Sequence, residues 1–210
     1  MLAIKEICQQ VPVIPVLVVK DVAHAVPLAE ALVSGGLHVL EVTLRTPAAL
    51  EVIRAMSTVQ GAIVGAGTVL NAQDVQAAKQ AGATFAVSPG ATESLLAAAE
   101  TEQLALLPGA STASEVMYLL ERQYTALKFF PAESVGGIGM LKSLYGPLPA
   151  VSFCPTGGIS PRNAADYLAL PNVMCVGGSW LAPEDLVQAG LWDSIAALAE
   201  ATQTLGTRKA

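Results

Sequence analysis

Lys128 stands inside an apolar run, Ala126–Phe130, and Glu41 stands inside another, Val39–Leu44. A charged side chain buried among β-branched and aromatic residues is costly unless it is paired. An amine kept from water disfavours its ammonium form, and a neutral amine is the nucleophile for a ketone. The protonated imine that results is an electron sink. It permits cleavage of a carbon–carbon bond two atoms away, or loss of an α-proton, and the sink itself needs no metal or cofactor. A carboxylate must then move protons, and Glu41 is placed for that work. Arg45 offers the bidentate fork that suits a substrate carboxylate.

The elements around these residues follow a regular beat. Short β-branched runs alternate with alanine-rich stretches, and eight runs read as strands: Val13–Val19, Val39–Leu44, Ile63–Val69, Phe85–Ser88, Ala105–Leu107, Ala126–Phe130, Val151–Cys154 and Val173–Val176. Their starts recur roughly every 23 residues, the length of a strand plus a crossover helix. Asn71, Thr92, Thr112 and Pro183 stand where helices begin, and Gly35, Gly36 and Gly82 where they end. Pro27 implies a kink or a late start in the first long helical stretch. A short helix over Leu2–Gln10 precedes the first strand, and the last helix, from Pro183 to about Leu205, is the longest. The fold this implies is a compact α/β (β/α)8 TIM barrel, one domain over 1–210, with a short N-terminal helix. A doubly wound open sheet is the alternative. It would lean on Gly65-Ala-Gly67, but the dinucleotide fingerprint then requires Gly or Ala at position 70, and Leu70 is there.

Strand alternation groups Val39, Glu41, Thr43 and Arg45 on one face, and Ala126, Lys128 and Phe130 on another. The same rule groups Val64, Ala66 and Thr68, and Ser152, Cys154 and Thr156. With the apolar faces turned to the helices, Glu41, Arg45, Thr68, Lys128 and Thr156 gather at the C-terminal mouth of the barrel, where such folds hold their active sites. A buried Glu–Lys pair alone could merely order the barrel; an arginine and two threonines converging on it point to chemistry. Two glycine-rich strand ends, Thr156-Gly157-Gly158 and Gly177-Gly178-Ser179, offer backbone amides to an anion at the usual phosphate end of a TIM barrel. Phosphate at one end and carboxylate at the other suggest a phosphorylated keto acid as the small-molecule partner.

Composition narrows the field. The 210 residues are 53% hydrophobic and only 13% charged, which excludes disorder over most of the length. The net charge of −6 and the lack of a basic run argue against nucleic acid. The longest apolar stretch, Val11 to Val19, is too short to span a membrane. Glu6, Gln9 and Gln10 interrupt any apolar leader, so a cytoplasmic protein is expected. Cys8, Cys154 and Cys175 form no disulfide framework, and two histidines, His24 and His38, cannot build a His-rich metal centre. A phosphosugar isomerase or epimerase would need a Glu/His pair or paired acids with a metal. A catalytically silent barrel serving assembly or ligand binding is the third possibility.

Six segments in order carry a resemblance: Glu41-Val-Thr-Leu-Arg45-Thr-Pro47, Gly65-Ala-Gly-Thr68, Val87-Ser-Pro89, Leu107-Pro108-Gly109, Lys128-Phe-Phe-Pro-Ala-Glu133 and Pro155-Thr-Gly-Gly-Ile159. Together, from about Val13 to Trp180, they resemble the bacterial 2-keto-3-deoxy-6-phosphogluconate (KDPG) aldolase family, many members of which also cleave 4-hydroxy-2-oxoglutarate. The resemblance implies Lys128 as the Schiff-base residue and Glu41 as general acid/base. It implies Arg45 and Thr68 at the pyruvyl carboxylate, Pro89 and Phe130 as pocket walls, and Gly157, Gly158 and Ser179 at the phosphate. Thr156 falls at the position tied to stereochemical choice at the cleaved carbon. The resemblance also implies a cytoplasmic homotrimer. Glu133, five residues past Lys128, is a second candidate acid, though helix capping suits it as well.

Overall fold

The structure, a computed structural model, describes residues 3–205. Leu2, the first residue of the expected N-terminal helix, lies outside that range, as do the two ends of the expected 1–210 domain; the described helix α1 is Ile4–Cys8. The chain then runs β1 (Val13–Leu17), α2 (Ala25–Ser34), β2 (Val39–Thr43), α3 (Ala49–Met56), β3 (Ile63–Gly67), α4 (Ala72–Gln80), β4 (Phe85–Val87) and α5 (Glu93–Thr101). It continues through β5 (Ala105–Leu107), β6 (Gly109–Ala110), α6 (Ala113–Glu121), β7 (Ala126–Phe129), α7 (Gly137–Tyr145), β8 (Ser152–Pro155), α8 (Ala164–Leu168), β9 (Val176–Gly178), α9 (Glu184–Gln188) and α10 (Trp192–Glu200). Strand and helix alternate because the apolar runs are short, β-branched and buried on both faces. β1 and β2 are buried at every position, as parallel strands covered by crossover helices must be.

All pairings are parallel. Six strands form one sheet in the order β5-β4-β3-β2-β1-β9, and three form another in the order β6-β7-β8. This is an α/β fold with a curled parallel sheet, and it departs from the expectation of eight continuous strands around one ring. The expected fifth strand, Ala105–Leu107, is β5; Pro108, which has no N–H to donate, follows it, ladder pairing lapses there, and a further two-residue strand, β6, pairs with the other sheet. The Pro108 carbonyl still accepts from the Lys128 amide at 2.9 Å. On the other side the two sheets meet through single bridges, Phe153 with Val173 and Thr156 with Gly177. The expected strand at Val173–Val176 therefore begins later, at Val176.

The anticipated helix starts hold. The side chains of Asn71, Thr92 and Thr112 accept from the amides of Asp74, Leu95 and Glu115. Pro27 falls in the first turn of α2, where its missing N–H costs nothing, so the late start is the correct alternative. The long terminal helix is a correction. The chain breaks after α9 because Gly190 turns left-handed at φ +65°, letting the Leu191 amide reach the Leu186 carbonyl at 3.0 Å. That is the glycine-terminated helix end, and α10 starts afresh behind it. Among the described residues no helix is long and apolar enough to cross a membrane.

Candidate active site

Strand register decides which side chains meet. Val16 of β1 pairs with Glu41 of β2, Glu41 pairs with Gly65 of β3, and Lys128 of β7 pairs with Cys154 of β8. Register partners in adjacent parallel strands share a face. Glu41 and Lys128 thus rise from separate sheets into the same interior. Lys128 Nζ lies 3.4 Å from Glu41 Oε1, with the two residues only 6% and 3% exposed. The amine also sits 5.2 Å from the centre of the Phe130 ring.

A cavity of about 190 Å³ opens over this pair, lined by Val16, Glu41, Thr43, Arg45, Thr68, Pro89, Lys128, Phe130 and Thr156. The sequence reading places seven of the nine there. It misses Val16 and Thr43. Thr43 lies two residues past Glu41 on the same strand face, so alternation carried the signal. Its hydroxyl is spent on the Leu17 carbonyl at 2.8 Å, which ties β2 to the end of β1.

Thr68 reaches the cavity by a route alternation does not give. The register of Glu41 with Gly65 turns Gly65 and Gly67 inward, so Val64 and Ala66 face the helices. The expected grouping of Thr68 with Val64 and Ala66 on the interior face is therefore incorrect. β3 ends at Gly67, and Thr68 turns left-handed at φ +60°, which reverses the alternation and delivers its side chain to the cavity. For a β-branched residue that backbone is strained. Gly65-Ala-Gly67 is thereby explained as a packing motif rather than a nucleotide fingerprint.

Gly157, Gly158 and Ser179 are not among the cavity's lining residues. They occupy the neighbouring strand ends, joined by the Thr156–Gly177 bridge. The parallel bridge of Thr156 with Gly177 turns the Gly157 amide toward the Gly177 carbonyl, whereas no protein acceptor among the described residues faces the Gly158 amide. Glu133 is absent from the cavity lining as well. Its carboxylate accepts from the Tyr167 hydroxyl, whose pKa is raised by burial and then by that same acceptor. The three thiols, Cys8, Cys154 and Cys175, are free and buried. Cys175 is pushed upward by hydrogen bonding to Cys154 and Cys8 and by burial. Among the described residues, no group of three or more His, Cys, Asp or Glu side chains is arranged to hold a metal ion.

An amine and a carboxylate in contact, walled by apolar side chains and rimmed by arginine and threonine, are an arrangement able to capture a keto acid covalently. The family described as "Aldolase: KDPG and KHG aldolase" matches residues 4–198, and the chain belongs to it. It is 57% identical over 197 residues to the 2-dehydro-3-deoxy-phosphogluconate aldolase of Pseudoalteromonas atlantica, covering 93% of this chain and 92% of that one. It is 56% identical over 189 residues to the KHG/KDPG aldolase of Escherichia coli, covering 90% and 89%. Among solved structures it matches the KDPG aldolase of Legionella pneumophila, with pyruvate captured as a covalent carbinolamine intermediate, at a TM-score of 0.92 and 46% identity over 95% of this chain and 97% of that one.

Proposed function

We propose that the chain is a Schiff-base aldolase. It cleaves KDPG reversibly to pyruvate and glyceraldehyde 3-phosphate, and 4-hydroxy-2-oxoglutarate to pyruvate and glyoxylate. The observation that carries this reading is the 3.4 Å approach of Lys128 Nζ to Glu41 Oε1 inside a buried cavity.

Lys128 adds to the C2 ketone, giving a carbinolamine, and water leaves to form the protonated imine. Arg45 and Thr68 hold the adjacent carboxylate. Glu41, directly or through one water, takes the proton of the C4 hydroxyl. As the C4 oxygen becomes an aldehyde, the C3–C4 electron pair flows into the imine and leaves an enamine. The aldehyde departs, the enamine is protonated at C3, and water hydrolyses the imine to free pyruvate and the amine. Phe130 and Pro89 wall the pyruvyl group, and Thr156, which lines the same cavity, reads the C4 configuration. Gly157, Gly158 and Ser179 receive the phosphate.

The same reading extends to architecture and setting. Counting β5 and β6 as one position gives eight strand positions, which supports a (β/α)8 barrel and a single domain over 1–210. The family resemblance favours a homotrimer. Three free thiols suit a reducing cytoplasm. Lys128→Met tests the assignment: cleavage of both substrates is lost while the protein stays folded. Cleavage that survives this substitution overturns it.

A further inference from the structure

Gly158 lies under a side chain that the cleavage chemistry does not use. A Cβ placed on Gly158 would stand 2.5 Å from Glu133 Cγ, so the Glu133 methylenes rest directly on the glycine. The backbone of Glu133 holds the neighbouring residue, its amide donating to the Gly157 carbonyl at 3.1 Å. The preceding amide, of Ala132, donates to the Thr156 carbonyl at 2.8 Å. From the far side Asn163 fixes the same turn. Its Nδ2 donates to the Gly158 carbonyl at 3.1 Å, and its Oδ1 accepts from the Ser160 amide at 2.8 Å. The carbonyls of the turn are thus occupied by protein and the Gly157 amide faces Gly177, while the Gly158 amide has no protein acceptor among the described residues.

What fixes Glu133 is Tyr167. The tyrosine is fully buried in α8 and gives its hydroxyl to the Glu133 carboxylate, although Glu133 itself is exposed. A long exposed side chain otherwise samples several rotamers. The buried hydroxyl removes that freedom and pins the methylenes over Gly158. Gly137 makes room for the contact, since a Cβ there would fall 2.9 Å from the Tyr167 hydroxyl oxygen.

We infer that Glu133 and Tyr167 are a positioning pair. They hold the Gly157–Gly158 turn in the shape that presents the Gly158 amide to a substrate phosphate, and so set the preference for phosphorylated over unphosphorylated keto acids. This rests on the aldolase reading and deepens it. Neither residue takes part in imine formation or proton transfer, so the pair acts on one substrate class and not on the other.

The experiment compares Tyr167→Phe and Glu133→Gln with the parent protein on KDPG and on 4-hydroxy-2-oxoglutarate, with inorganic phosphate as a competitor. Tyr167→Phe keeps the ring and its packing and removes only the hydroxyl. The expected result for both variants is a KM for KDPG raised on the order of tenfold, the loss of roughly one charge-assisted hydrogen bond. Inhibition by inorganic phosphate weakens in parallel, and kcat and KM for 4-hydroxy-2-oxoglutarate stay within about twofold. Equal losses on both substrates, or no change on either, overturn the inference. A parent protein that cleaves neither substrate overturns the aldolase reading itself, and this inference with it.

Discussion

A Cβ at position 67 would lie 2.2 Å from Glu41 Oε1, so the carboxylate that faces Lys128 occupies space only glycine leaves open. Gly67→Ala is therefore expected to push the carboxylate off its 3.4 Å approach to the amine. The predicted result is a fall in kcat of about 10²-fold, the scale of a displaced general base, with a smaller change in KM. Steady-state kinetics on KDPG, with a melting curve to show a folded protein, check it. Unchanged turnover would mean that the location of Glu41 is not what limits the reaction.

Glu41→Gln separates proton transfer from covalent capture. The amide keeps the shape of the side chain and cannot accept the C4 proton. Turnover should fall by about 10²- to 10⁴-fold, while pyruvate incubated with borohydride still labels the variant. Normal turnover would move the proton-transfer role to another group.

Thr68 tests whether strain is held for function. Glycine tolerates φ +60° without cost, so Thr68→Gly should leave the fold at least as stable, offset by at most about 1 kcal/mol of backbone entropy. The same change removes a hydroxyl from the cavity and should raise the KM for the keto acid severalfold. Thermal unfolding and pyruvate-competition kinetics on one preparation read both effects. A stabilised variant with unaltered KM would show that the Thr68 side chain is dispensable.

The interior pair was legible in the sequence because Glu41 and Lys128 sit in the middle of short strands, where alternation is reliable. Thr68 lines the cavity, but alternation gives the wrong reason for its being there. The register of β2 with β3 turns the glycines inward, and register is a long-range property that a local run of residues does not encode. Pro108 dividing β5 from β6 and Gly190 ending α9 are both visible in the sequence. Each reads as punctuation only once the neighbouring strand or helix is in place. Glu133 looked equally suited to capping and to catalysis, and its actual contact, Tyr167, lies 34 positions away.

The capping box of α6 gives a pH-dependent prediction. Burial raises the Glu115 pKa, but the Ser111 amide, the Thr112 hydroxyl and amide, and the Ser111 hydroxyl outweigh it and leave it below its ordinary value. The folded pKa is thus lower than the unfolded one. The stabilisation is complete above the unfolded carboxylate range and is lost as pH falls through the folded pKa. Thr112→Ala should cost about 1 kcal/mol near neutral pH. The stability gap between the parent protein and Glu115→Gln should narrow as the solution is acidified. Urea unfolding across acidic to neutral pH measures both, and a gap that widens on acidification would contradict the account.

Covalent capture of pyruvate by Lys128 is the central claim, and borohydride reduction followed by peptide mass spectrometry tests it most directly. The prediction is a single reduced pyruvyl adduct on the peptide carrying Lys128, absent from Lys128→Met. An adduct on another lysine, or none in a protein that still cleaves KDPG, would contradict it.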